Sequence, residues 1–212
     1  KTSNYQENGI KTNAKNSSFD YIAMQFRLHP RVGMVVGFIP YSTVGYSFTT
    51  TKQIEGIENT SSANVFTGDG GLQQVFGGVG FKVLDNLSIG ANVGYLYGNI
   101  NYQTQIGFNT TADYTITYNK IKVNSFIADF GVQYTQPLSK DDNLTLGLTY
   151  GLGHTLNSTE EKGIQVTDNS DYVSNNSTTL NDSYGIPHTL GIGVAYNRKQ
   201  NLTVGADYTL QK

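Results

Sequence analysis

Apolar residues recur at every second position along most of this chain, the mark of β-strands with two unlike faces. From Asn143 to Leu156, the residues Leu144, Leu146, Leu148, Tyr150, Leu152 and Leu156 share one face, interrupted only by His154. Asn143, Thr145, Gly147, Thr149, Gly151, Gly153 and Thr155 share the other. The same alternation runs through Leu190 to Tyr196, Leu202 to Leu210, Leu87 to Tyr97, Ile22 to Leu28 and Phe126 to Tyr134. No helical periodicity of comparable quality competes with it. Eight strands are expected, over about 18–29, 32–49, 72–84, 87–103, 121–136, 143–156, 187–197 and 201–211.

The composition narrows what such strands build. Only 14% of the 212 residues are charged, against about 25% in an ordinary globular chain, yet the mean hydropathy is −0.34. Glycine (24) and tyrosine (15), with many Asn, Ser and Thr, fill the gap. With no cysteine there is no disulfide framework and no thiolate zinc site. A net charge of −2 gives no bulk case for nucleic acid, and no apolar run is long enough for a transmembrane helix. A soluble β-sandwich also alternates, but its wet face carries Lys and Glu. Here the polar face is Gly, Ser, Thr and Asn, which suits a barrel lumen, while the long apolar stripes with Tyr near their ends suit lipid. The expected fold is an all-β, antiparallel, up-and-down transmembrane β-barrel.

Connections alternate in length. His29-Pro30-Arg31, Asp85-Asn86, Pro137 to Asp142 and Asn197 to Gln200 are short. Stretches near Thr50 to Gly71, Gly98 to Lys122 and Asn157 to Pro187 read as long loops, the pattern of outer-membrane barrels. If the short turns are periplasmic, the first strand descends and the eighth ascends, so both ends lie outside. That parity points to an internal portion of a larger barrel, lacking at least a strand at each end.

Several runs resemble the FadL-type outer-membrane transporters: Gly70-Gly71-Leu72-Gln73-Gln74, Gly77-Gly78-Val79-Gly80-Phe81 and the turn region Leu84 to Tyr95. Arg31 to Met34, Pro40 to Tyr46 and His188 to Ala195 add to the likeness. The resemblance implies a fourteen-stranded barrel with an N-terminal hatch, which has no counterpart here, and passive carriage of long-chain fatty acids or other hydrophobic compounds. In that family one strand is kinked to open the wall sideways. The second strand here holds Pro40 between Gly37 and Gly45. Those three residues are candidates for a lateral gate, or else Pro40 marks a plain bulge in a long strand.

Other polar groups stand in the expected lumen: Gln25, Arg27, Asp129 and Asp207. They form either a solvated lining or a polar constriction. The histidines His29, His154 and His188 show no partners at ligand or triad spacing, so neither a metal site nor a catalytic site is expected. Asp168, Asp171 and Asp182 lack the glycine and terminal glutamate of a calcium loop. No cofactor is implied. The leading expectation is an outer-membrane channel in contact with lipid and a hydrophobic ligand. The alternative is an outer-membrane scaffold that docks a partner protein through its long loops, Asn157 to Pro187 above all.

Overall fold

The computed structural model describes residues 2–7, 10–15, 20–56, 60–109, 113–167, 173–199 and 201–212, with side chains described from residue 20 onward apart from 173. Every regular element among them is a strand: β1 (Thr2–Glu7), β2 (Ile10–Lys15), β3 (Ile22–His29), β4 (Val32–Gln53), β5 (Ser61–Lys82), β6 (Leu87–Phe108) and β7 (Tyr114–Pro137) come first. They are followed by β8 (Asp142–Gly151), β9 (His154–Thr155), β10 (Ser158–Thr167), β11 (Val173–Asn181), β12 (Gly185–Ile186), β13 (Thr189–Arg198) and β14 (Leu202–Gln211). β1 and β2 form a separate hairpin, which the sequence reading did not anticipate.

The main sheet is an antiparallel meander in the order β14-β13-β8-β7-β6-β5-β4-β3, with β10 and β11 attached beside the first half of β7. The eight expected strands are all present, and the short turns fall where expected. The sheet is not closed: among the described residues β3 and β14 end the meander unpaired, β11 is open on its outer side, and β4 beyond Phe38 has no neighbour on the β3 side. A closed barrel, eight- or fourteen-stranded, is therefore not what the chain forms here.

The long loops also need correction. β4, β5 and β6 each run for 22 residues and β7 for 24, so Thr50 to Gly71 and Gly98 to Lys122 are largely continuous ladder. Asn157 to Pro187 contains the β10–β11 hairpin. Asp168 and Asp171, like Gln200, lie outside the described residues.

These strands are about twice the 9–11 residues that span a bilayer, and their two halves differ. In the half near the short turns, the front face carries rows such as Phe26–Met34–Val79–Ala91–Phe130–Tyr150–Leu190–Leu210, apolar from edge to edge. The back face of the same half carries Arg27–Gly33–Gly80–Gly90–Gly131–Thr149–Gly191–Thr209. In the distal half the polarity is exchanged. The front of β6 passes from Val93, Tyr95 and Tyr97 to Asn99, Asn101, Gln103 and Gln105. Its back passes from Gly90, Asn92 and Gly94 to Leu96, Ile100, Tyr102 and Ile106. β5 changes broadly in the same way, whereas β7 does so only from Asn124 to Ile121, beyond which Tyr118, Ile116 and Tyr114 stand on the front and Asn119, Thr117 and Thr115 on the back. β4 makes the exchange through a bulge between Pro40 and Ser42 that leaves Tyr41 without a partner on β5.

The exchange coincides with a line of backbone irregularities across the sheet. Gly70 (φ 104°), Gly71 (φ 149°) and Gly98 (φ 148°) take conformations that L side chains rarely adopt. A Cβ on Gly71 would strike the Ser42 carbonyl, and one on Gly98 the Gly71 carbonyl. Further along the same line β8 gives way to β10, and β11 to β13.

Candidate functional site

The line of irregularities makes its largest feature at β7. On the side away from β6, residues 114–123 pair with β10 and residues 129–137 with β8, so residues 124–128 have no regular strand beside them on that side. Leu152 to Asn157 and Asp182 to His188 leave the ladder at this level. There β9 and β12 pair only with each other, His154 opposite Ile186 and Thr155 opposite Gly185. The departure is tied at both margins, by Leu152 N–H donating to the Ala128 carbonyl (2.9 Å) and Asn124 N–H to that of Asn157 (3.0 Å). Gly153 suits the fold-back, because a Cβ there would meet the backbone of Pro187 and His188.

Leu156, Tyr184 and Ile186 from these two segments pack on the back face against Leu72, Leu96, Ile121, Val123 and Ile127. This is the covered core of the protein, and Leu96 at its centre is fully buried. A polar cluster borders it. The Glu160 side chain, 3% exposed, accepts hydrogen bonds on one oxygen from Tyr184 Oη (2.6 Å) and Asn119 Nδ2 (2.8 Å), with Lys162 Nζ at 3.0 Å. Hydrogen bonding, from Tyr184 first and then Lys162 and Asn119, holds the Glu160 carboxyl below its ordinary value against the opposing effect of burial. Burial, with Glu160 beside it, pushes the Tyr184 hydroxyl up to about 12.

The histidines belong to the same break. The His154 ring stacks on Phe126 (centroids 4.2 Å apart) and its Nε2 lies 3.3 Å from Ser125 Oγ. Ser125 is buried, and its Oγ also accepts the Asn157 N–H (3.4 Å). This pair plugs the break. His188 Nδ1 accepts the Gly153 N–H (3.1 Å) and lies 2.8 Å from Tyr150 Oη. Asp182 Oδ1 accepts the Ser158 N–H (3.3 Å) where β11 leaves β10, so it works as a turn residue. No group of three or more potential metal ligands occurs among the described residues.

The candidate gate and lumen residues do not converge. Gly37 lies on the back face, opposite Ala23 and Phe76, and a Cβ there would press on the Phe76 ring. Gly45 lies on the front in open space, opposite Asp69. Pro40 pairs with Gln73 immediately before the bulge, the place where a missing N–H is tolerated. Gln25, Arg27 and Asp129 line one cavity of about 740 Å³ on the back face, floored by Gly78, Gly80 and Gly90. Asp207 sits away from it, opposite Gly193 on β14. Arg27 is turned toward the short turn, donating to the Pro30 carbonyl (3.2 Å).

Sequence reasoning missed the Glu160–Tyr184–Asn119 cluster. Its members are far apart in sequence, and only the two aligned strand breaks bring them together.

Comparison with known families decides what this architecture belongs to. The family profile described as BamG matches residues 1–212, the whole chain. The chain belongs to the BamG family. No curated protein and no solved structure matches it. Membership overturns the FadL-type resemblance and the hydrophobic-compound channel that rested on it. The runs that suggested FadL are alternations of Gly with apolar residues, together with tight turns. Any antiparallel meander with one apolar face needs these, and they carry no ligand chemistry. With the transporter go its hydrophobic ligand and the passage ascribed to Gly37, Pro40 and Gly45. The family associates the chain with the bacterial outer membrane and with a partner protein, as a component of the BAM complex.

Proposed function

We propose that this chain is a membrane-embedded scaffold of the BAM complex, contributing to the assembly of outer-membrane proteins by holding partner components rather than by moving a ligand. The observation that carries the reading is the exchange of polarity across the sheet. Between Leu87 and Tyr95 the β6 front face is wholly apolar over nine residues, close to the 9–11 that cross a bilayer as a tilted strand. Aromatic residues border this band: Tyr95 and Tyr97 (rings 5.7 Å apart) and Phe126 on one side, Tyr134 and Tyr196 on the other. Tyrosines at those levels suit the girdles of a membrane barrel. The distal halves then stand clear of the bilayer with a polar front, as a sheet in water would.

In a bilayer the edges β3 and β14 need strand partners, because hydrocarbon leaves no water for unpaired backbone groups. A barrel completed beyond these strands supplies them. The test is affinity purification of the full-length protein from outer membranes, together with depletion of it from cells. Co-purification with BAM components and slower assembly of outer-membrane proteins are expected. A protein that fractionates alone, and whose depletion leaves assembly unchanged, defeats the proposal.

A further inference from the structure

We infer that the distal back face of β4–β7 and β10 is the docking surface for another BAM component. It would accept an extended segment of that component with apolar side chains two residues apart and no charge but a carboxylate at one end. The inference rests on the scaffold reading and specifies where the scaffold holds its partner.

Three observations lead to it. First, this face carries Phe48, Phe66, Ile106 and Ile164 on two adjoining rows beyond the covered core, with the uncharged Thr104, Thr117, Asn64 and Thr115 between them. Phe48 and Phe66 stack with centroids 5.0 Å apart, and Tyr46 lies across Gly68, which has no side chain to lift it. Phe48 is nonetheless 53% exposed and Ile164 49%. Aromatic and aliphatic groups grouped on one face and left in water mark an interaction surface.

Second, the same face is already covered one step nearer the break, and the covering chemistry is visible. There β9 and β12 lay Leu156, Tyr184 and Ile186 over Leu96 and its neighbours. The exposed area continues that interface outward, so a segment of the same character completes it. Alternation suits such a segment, because its apolar side chains then all point at the face.

Third, charge selects the partner. The strands place Lys52, Lys162 and Glu160 on this face, and Glu160 is buried against Lys162. The exposed charge is therefore positive, with Lys52 at the distal rim, where a partner carboxylate is complementary.

The test is photo-crosslinking in cells carrying the full protein, with a benzophenone amino acid placed singly at Phe48, Ile106, Thr49 or Gln103. Thr49 and Gln103 are on the front of the same strands. Crosslinks to a BAM component from Phe48 and Ile106, at least about tenfold stronger than from Thr49 and Gln103, are expected for a buried interface centre. Phe48→Asp should lower the recovered partner by a similar factor, while the protein still fractionates with the outer membrane. Crosslinks from Phe48 to the protein's own β1–β2 hairpin, to a second copy or to lipid overturn the inference. So does co-purification with BAM components that contact only the front face, although the scaffold reading then stands. Loss of all association with BAM defeats both.

Discussion

Glu160 is the side chain on which the covered part of the back face depends. Three donors meet one of its oxygens, and the strongest hydrogen bond comes from Tyr184, which lies on the in-folded segment. Tyr184→Phe removes one donor to a buried charge and should cost about 1.5–3 kcal/mol, read from thermal unfolding in detergent. Leu96→Ala, at the fully buried centre of the core, should cost about 2–5 kcal/mol by the same measurement. The cluster also sets a pH dependence. Because the folded Glu160 carboxyl titrates below its ordinary value, its contribution to stability is complete above the unfolded value of about 4.3 and is lost as pH falls through the folded one. Amide protection at 152–157 and 182–188, with the intrinsic pH dependence of exchange divided out, should therefore be high at neutral pH and fall as the pH drops below the unfolded value of about 4.3. Glu160→Gln should lack this acid step. An unchanged step in that variant would assign the pH response to another group.

At the scale of the strand, the line of irregularities divides each long element into two working halves, and its glycines are not alike. Gly71 and Gly98 hold positive φ and press on carbonyl oxygens of neighbouring strands, so alanine at either should cost about 1–3 kcal/mol in backbone strain, with the steric clash added. Gly80, in the glycine row of the back face, has open space where its Cβ would be, so Gly80→Ala should leave the melting temperature nearly unchanged or slightly raised. Equal losses at all three would mean that the line is not a special feature. The same line explains what was legible in the sequence. The halves near the short turns keep their apolar residues on one parity, so eight strands were readable with their turns. In β6 the apolar residues move from odd to even positions at Leu96, so a reading that follows one parity ends the strand early and takes the rest for loop. The break after Gly151 was hidden for the opposite reason, since Leu152 and Leu156 keep the parity of Leu144 to Leu148 although they have left the ladder. Period-2 parity shows that Gln25, Arg27, Asp129 and Asp207 share one face, but nothing local could show that Asp207 lies apart from Asp129.

For the whole molecule, the exchange of polarity demands two environments along one sheet. Along β4, β5 and β6 the front is apolar near the short turns and largely polar beyond, while the back gains its large apolar groups only beyond, so no single solvent suits both halves of either face. A soluble sandwich would keep one face apolar throughout, to bury it against a second sheet. On the membrane-scaffold reading proposed above, a bilayer around the first half and water around the second satisfy the front. The back needs only small groups where it faces a barrel interior, and a protein cover where it emerges. This arrangement makes a position-dependent prediction. Phe130 stands in the middle of the apolar front band, between the Tyr134 and Phe126 rows, so on that reading Phe130→Arg places a charge near the bilayer midplane. It should cost about 2–4 kcal/mol of membrane stability. Gln103→Arg introduces the same charge on the front of the distal half and should cost almost nothing. Urea-driven folding into lipid vesicles measures both. Equal, small effects would mean that the apolar band does not face hydrocarbon, and the front face would then need a protein cover of its own. A large loss at Phe130 alone would mark the level at which the sheet leaves the membrane, and with it the height at which a partner must reach the distal back face.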